Sequence, residues 1–202
     1  MSTTAAHVIN AISGIERLRY LELGICGGGT FARVRAGEKV GVDHAQYEDG
    51  CRVDFLMSTD SFFAGPGRGR RFDVVFIDAC HDFPNVFRDF NHSVAALDPG
   101  GIVLLHDLVP PDPAHTSPSL CSDAFRLLHL LLTQPRTGLE VVVQAGDYGL
   151  TAVRGARPVA LPTAAATLEE LLAVLETGPV RPVSLEDMVA TVVAWRNGGG
   201  ST

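Results

Sequence analysis

Two carboxylates, each with a histidine close in sequence, could carry chemistry in this chain: Asp78 with His81, and Asp107 directly after His106. Both acids close apolar runs of strand length, Phe72–Asp78 and Gly101–His106. In a parallel sheet such runs end on one edge, the carboxyl edge where open α/β folds bind ligands. Two carboxylates converging on one pocket repel each other unless they are protonated or bridged by a cation. Mg²⁺ takes oxygen ligands and leaves positions for substrate hydroxyls, so Asp78 and Asp107 are candidate Mg²⁺ ligands. A histidine near neutral pKa can deprotonate an attacking hydroxyl, a contribution of about 10²- to 10⁴-fold. His81, in the loop after Asp78, is the preferred base. His106 is the second candidate, with bonding to turn backbone as its alternative role. His7, His44, His92 and His129 have no convergent partners.

A second constellation lies upstream. Tyr20-Leu-Glu-Leu-Gly-Ile-Cys-Gly-Gly-Gly-Thr-Phe31 runs from an apolar strand into a glycine-rich turn, and Lys39-Val-Gly-Val-Asp43 is a second strand ending on an acid. Glycines let backbone approach a nucleoside, and a terminal carboxylate suits two ribose hydroxyls. A dinucleotide fingerprint counted from Gly24 would need glycine where Cys26 stands. A carboxylate two residues before the first glycine, Glu22, is instead typical of S-adenosylmethionine (SAM) sites. Gly24, Gly28 and Gly29 are then expected beneath the amino-acid part of SAM, with Glu22 orienting the turn or binding the ligand ammonium through water. Asp43 is expected at the ribose. Thr30 is placed at the turn, capping or packing the following helix.

These groups need a sheet to position them. Strand-length runs near Leu18–Leu23, Lys39–Asp43, Arg52–Met57, Phe72–Asp78 and Gly101–His106 alternate with helical segments, which predicts a parallel sheet with crossovers. The segment His44–Gly50 is too short for a helix and reads as a loop. Phe83, Val86, Phe87, Phe90, Val94 and Leu97 form one helical face. Asp89 falls opposite that stripe and reads as a solvated charge, with a site role as its alternative. A further helix is expected over Leu120–Leu132, then strands Leu139–Gln144 and Leu150–Val153 around a hairpin turn. The Pro-, Ser- and His-rich segment Leu108–Ser122 is long for a crossover and reads as a lid or specificity loop containing His115. Arg154–Pro162 reads as a linker. After it, Thr167-Leu-Glu-Glu170 is a capping box and Ser184 opens another helix, so residues 155–202 are expected to be a linker and small helical appendage to a 1–154 ligand-binding domain, with Gly198–Thr202 disordered.

Taken in order, these blocks resemble one branch of the Rossmann-like SAM-dependent methyltransferases, related to macrolide-sugar and rhamnosyl O-methyltransferases and to cephalosporin hydroxylase-like proteins. Tyr20–Gly24 through Gly28–Phe31 resembles the branch's first motif, and Val40-Gly-Val-Asp43 its second-strand acid. Met57-Ser-Thr-Asp-Ser-Phe-Phe63 resembles the stretch after the third strand. Phe72-Asp-Val-Val-Phe-Ile-Asp78 with His81, Val86 and Asp89, then Leu97-Asp-Pro-Gly-Gly101 to Leu104-Leu-His-Asp107, completes it. The resemblance spans residues 18–153. It implies an α/β, Rossmann-like methyltransferase sheet, mostly parallel with a terminal antiparallel hairpin strand. It also implies SAM as cofactor, with Ser58, Thr59 and Asp60 at adenine, although Ser58 is equally suited to cap a helix. Asp78 would touch the cofactor as well as the metal. In metal-dependent relatives a third ligand often follows the second acid directly; here that position is Leu108, with Asp82 and Asp112 as substitutes.

The implied activity is O-methylation of a small hydroxylated molecule, a sugar or natural-product intermediate, with Mg²⁺ assistance. N-methylation and a non-catalytic SAM- or partner-binding protein are the alternatives. A net charge of −7 gives no support for nucleic-acid binding. No targeting segment and no bilayer-length apolar run is evident, and four scattered cysteines read as reduced core thiols, which together point to the cytoplasm. Only a short amphipathic pattern (Val8, Ile9, Ile12) precedes the first strand, so the pocket is expected to be either open or closed by the C-terminal helices or by a partner subunit of a homodimer.

Overall fold

The structure, a computed structural model, describes residues 3–12, 14–47, 50–134, 137–162 and 164–198. The terminal stretch expected to be disordered lies outside these residues beyond Gly198, as do positions 48 and 49 of the loop after Asp43. Seven strands form one sheet: β1 (Arg19–Leu23), β2 (Glu38–Asp43), β3 (Phe55–Leu56), β4 (Phe72–Ile77), β5 (Leu97–Leu105), β6 (Glu140–Val143) and β7 (Thr151–Arg154). Their order is β3-β2-β1-β4-β5-β7-β6. The first five pair in parallel, and β7 runs antiparallel to both β5 and β6. The order reverses beside β1, which places the crevice between the β1 and β4 loops.

The central strands are buried on both faces, as parallel strands under helices must be. Leu21, Leu23, Val75, Ile77, Val103 and Leu105 face one layer, built by α3 (Thr59–Ala64), α4 (Phe83–Ala96), α5 (Phe125–Thr133) and α6 (Leu168–Thr177). Tyr20, Val74, Phe76, Ile102 and Leu104 face the other, built by α1 (Thr3–Ala11), α2 (Gly29–Arg33) and α7 (Leu185–Arg196). The two C-terminal helices therefore lie on opposite faces of the sheet. Leu171 and Leu175 of α6 join the core beside α5, while Met188, Val192 and Trp195 of α7 pack with α1. The linker before them is strapped down: Asn91 on α4 donates to the Val159 carbonyl and accepts from its N–H. The capping box at Thr167 and Glu170 and the Ser184 cap both form. Among the described residues no helix is long and apolar enough to cross a membrane.

Three local readings shift. The third strand shrinks to Phe55–Leu56, because only Val42 and Asp43 of β2 pair with it. The fifth starts at Leu97, which pairs with Phe72 ahead of an irregularity in register. The helix expected from Leu120 begins at Phe125, because Cys121 N–H bonds the His115 carbonyl and Leu120 N–H that of Ser117, holding this stretch as turns.

Glu22 on β1 is a carboxyl buried within the sheet. It is 2% exposed and accepts a hydrogen bond from the Tyr20 hydroxyl. Burial raises its pKa from 4.5 to about 8, against the opposing Tyr20 bond and with Asp78 adding. Between those two pH values the unfolded chain is ionised here and the folded chain is not, so stability falls as pH rises from about 4.5 to 8. Glu22→Gln keeps an acceptor for Tyr20 and removes the titration. Thermal melts should show the variant level with the parent at pH 5 and more stable by on the order of 1–3 kcal/mol at pH 8.5. A variant that loses stability equally at both pH values would contradict this.

Candidate functional site

The glycine-rich turn after β1 is shaped by its neighbours. Gly24 has φ +85°, and a Cβ there would lie 2.1 Å from the Asp78 carbonyl oxygen, so only glycine lets the β1 and β4 loops meet. Gly28 (φ +75°) leaves room for Cys51, and Cys26 between them holds φ +46°. Asp43 fixes this turn from the end of β2. Its Oδ2 accepts from the N–H groups of Ile25 (2.8 Å) and Cys26 (2.9 Å), and its Oδ1 from Ala45 (3.0 Å). Burial opposes its charge, but these donors and His44 hold the pKa below the usual carboxylate value.

Above this turn a cavity of about 650 Å³ runs along the carboxyl edge of the sheet. One end is walled by Val42, Met57, Ser58, Thr59, Asn85 and Asp89, and the other by Asp78, His81, His106, Asp107, Asp147 and Tyr148. No described residue beyond Tyr148 lines it, so α6 and α7 do not cover it.

The chemically dense end forms where β4 and β5 stop. Asp107 takes φ +61°, a left-handed conformation rare outside glycine, and this turns its carboxylate back over the β4 loop. His81 Nδ1 lies 2.7 Å from the Leu120 carbonyl oxygen, which can only accept, so Nδ1 carries the proton. Its Nε2 is thereby directed at Asp78 Oδ1 (3.3 Å) and Asp107 Oδ2 (3.2 Å). Asp78, His81 and Asp107 bring one ligand-capable atom each to within 4.8 Å of one another. A bare nitrogen lone pair facing two carboxylates is repulsive, so the cluster demands a proton or a metal cation at its centre. Burial opposes protonation of His81, yet its bonds and the two acids raise its pKa.

His106 stands behind this cluster. Its Nδ1 is 3.2 Å from Asp107 Oδ2 and its Nε2 is 3.5 Å from Asp147 Oδ1, within ion-pair reach though neither approach is aligned as a hydrogen bond. Burial works against its charge, but Asp107, Asp147 and Asp78 outweigh it and raise the pKa to about 10. Asp107 also accepts from the Cys121 thiol at 3.6 Å, and burial with the Asp107 charge pushes that thiol up to about 12.

The residues singled out from sequence divide into two groups. Gly24, Asp43, Ser58, Thr59, Asp78, His81, His106 and Asp107 all line the cavity. Glu22, Gly28, Gly29 and Thr30 do not; they build the turn beneath it, with Thr30 buried at the start of α2. Asp60 is a correction. Ser58 N-caps α3, accepting from Ser61 N–H, which rotates Asp60 to the outer face, where it pairs with Arg88 and His92. Asp82 and Asp112 are occupied as the N-caps of α4 and of the turn Pro113–Thr116, and Leu108 is fully buried in the core. The third ligand-capable side chain that the structure sets beside Asp78 and Asp107 is His81.

His115 pairs with Asp112 and stacks near Tyr148, outside the cavity lining. Of the cysteines only Cys121 is core; Cys26 and Cys80 are exposed and line the cavity. His44, given no role from sequence, sits at the mouth 3.2 Å from Asp43. Asp89, for which a solvated charge was the default and a site role the alternative, is 2% exposed on the cavity wall, and sequence reasoning missed Asp147 and Tyr148. The last two had a topological signal: β6 points the same way as β5, so its hairpin turn must fall at the ligand edge.

Residues 21–108, somewhat under half of the chain, match the family described as a methyltransferase domain. Solved structures with a similar fold include an O-methyltransferase from Bacillus cereus in complex with SAH, at TM-score 0.54 and 18% identity, covering 76% of this chain and 80% of that one. Another is the O-methyltransferase TomG from Streptomyces achromogenes, involved in tomaymycin synthesis and in complex with SAM, at TM-score 0.54 and 17% identity over 76% and 80% of the two chains. A third is the SAH-bound methyltransferase PaMTH1 from Podospora anserina, at TM-score 0.55 and 18% identity over 76% and 79%. No curated protein matches the sequence. The fold is that of the Rossmann-like methyltransferases.

Asp43→Asn replaces a charged acceptor of three backbone N–H groups with a single amide oxygen. Because the folded pKa is depressed, the stability Asp43 contributes is present above the unfolded value near 3.8 and lost as pH falls through the folded one. Denaturant unfolding should show the variant about 1–3 kcal/mol less stable at pH 7, with the gap narrowing as pH falls below the unfolded value. An unchanged midpoint at pH 7 would show that Asp43 does not hold the turn.

Proposed function

We propose that this Rossmann-like methyltransferase domain transfers a methyl group from SAM to a hydroxyl of a small molecule, such as a sugar or natural-product intermediate. The observation that carries the reading is the Asp78–His81–Asp107 cluster at one end of a cavity whose middle is walled by Gly24, Cys26 and Asp43. Asp43 keeps acceptor capacity beyond its three backbone donors, in the position where ribose hydroxyls would be received. The four free cysteines fit a reducing, cytoplasmic setting.

The donor set fits a divalent cation: two carboxylate oxygens and one imidazole lone pair held face to face by the bond from His81 to Leu120. Bound there, Mg²⁺ or a similar ion would make an acceptor hydroxyl more acidic. The remaining work falls to the chain. The acceptor oxygen must meet the sulfonium methyl in line, so the walls hold the two at near-attack distance. As the oxygen–carbon bond forms and the carbon–sulfur bond breaks, the hydroxyl proton leaves to water at the open mouth of the cavity. His106, held cationic between Asp107 and Asp147, balances the carboxylates and does not take that proton. A cation-free enzyme is the second reading, favoured by the raised His81 pKa: an imidazolium there satisfies Asp78 and Asp107 unaided.

The test is SAH release from SAM across a panel of small hydroxylated acceptors, with Asp78→Asn and with chelator. Asp78→Asn should lower turnover at least about 10²-fold while SAH affinity changes less than about threefold. Loss of turnover on chelation, restored by Mg²⁺, selects the metal-assisted form. Undiminished turnover in Asp78→Asn would overturn the role given to the cluster.

A further inference from the structure

The cluster at the ends of β4 and β5 presents two carboxylates and one imidazole, and the third donor bears on which cation it takes. His81 Nε2 lies 3.3 Å from Asp78 Oδ1 and 3.2 Å from Asp107 Oδ2. Its Nδ1–H donates to the Leu120 carbonyl at 2.7 Å, so the bare nitrogen is held toward the two acids. Metal-ligating histidines characteristically donate their other ring N–H to a carbonyl or carboxylate, which fixes the tautomer and makes the ligating nitrogen more basic. His81 carries that signature.

The acids that could have completed an all-oxygen set face elsewhere. Asp82 accepts from the Asn85 N–H and side-chain amide, and Asp112 from the N–H groups of Ala114 and His115. Asp147 lies against His106, 3.5 Å from its Nε2. Cys121 Sγ donates to Asp107 as a thiol at 3.6 Å, and among the described residues no cysteine joins the ligand-capable group. The set is therefore one nitrogen and two oxygens, without sulfur.

Donor type sorts cations. Mg²⁺ takes oxygen ligands in near-ideal octahedral geometry and dehydrates reluctantly, so a neutral nitrogen offers it little. Imidazole suits first-row transition ions such as Fe²⁺ and Co²⁺, which also accept carboxylate. We propose that the Asp78–His81–Asp107 site selects a divalent first-row transition-metal ion, ligated through His81 Nε2, over Mg²⁺. The inference rests on the cation-assisted form of the methyl-transfer reading above. It gives His81 to ligation rather than to proton transfer.

The test uses the full chain, stripped of metal by chelator and titrated calorimetrically with Co²⁺ and with Mg²⁺. Co²⁺ should bind at least about 100-fold more tightly than Mg²⁺. His81→Asp, an all-oxygen set, should narrow that ratio at least about tenfold, by weakening Co²⁺ while Mg²⁺ holds or gains. Pulsed electron paramagnetic resonance of the Mn²⁺-loaded parent should show modulation from a ligating nitrogen. That signal should vanish in both His81→Asp and Asp107→Ala. Should His81→Asp fail to fold, the parent's nitrogen signal and its loss in Asp107→Ala decide the matter. Mn²⁺ bound without a nitrogen signal, a signal that survives in Asp107→Ala, or an unchanged ratio in folded His81→Asp would overturn the assignment alone. No binding of Co²⁺, Mn²⁺ or Mg²⁺ would overturn it together with the cation-assisted form. SAH binding to the same protein reports separately on the methyl-donor reading.

Discussion

Parallel pairing forces the carboxyl ends of β2, β4 and β5 onto one edge, and this sequence ends all three on aspartate: Asp43, Asp78 and Asp107. Three acids in a partly desolvated crevice are untenable without compensation, because an uncompensated buried charge costs several kcal/mol. The rest of the site is arranged as that compensation. Asp43 is neutralised by backbone amides, and this sets the shape of the glycine-rich turn. Asp78 and Asp107 are answered by imidazoles, and the shared lone pair of His81 creates a demand for one more positive charge. Asp107 reaches the cluster only by adopting a left-handed backbone, so strain at the end of β5 is part of the arrangement.

The same logic ties the long loop after β5 to the chemistry. The Leu120 carbonyl fixes the tautomer of His81, and the Cys121 thiol bonds Asp107. A displacement of this loop would release His81 Nδ1 and remove one wall of the cavity at once. The C-terminal helices act elsewhere: α6 and α7 complete the two helical layers and leave the mouth to the loops.

Much of this was legible in the residues. Asp78, His81, His106 and Asp107 could be placed together because strand-terminal residues of a parallel sheet share an edge whatever the details of packing. The α4 stripe was equally clear, since periodicity reports which face meets the sheet. The stripe does not report what lies against the opposite flank. Solvation was the default for Asp89 because its partner Thr59 lies on α3, well before α4 in sequence. Asp60 failed in the other direction: a one-residue choice of helix start decides whether it faces the cavity or solvent. Asp82 and Asp112 were plausible ligands by type, but local N-capping geometry claims them first. The C-terminal helices showed amphipathic pattern without revealing which layer each would join.

The central claim is that this edge holds a SAM-derived nucleoside beside a site for a divalent cation. Calorimetric titration with SAH, followed by Mg²⁺ into the SAH complex, tests it most directly. The account predicts micromolar SAH binding and a second, separate heat with Mg²⁺ that disappears in Asp107→Ala. Absence of any SAH heat would contradict the account at its root and leave the fold without the ligand proposed for it.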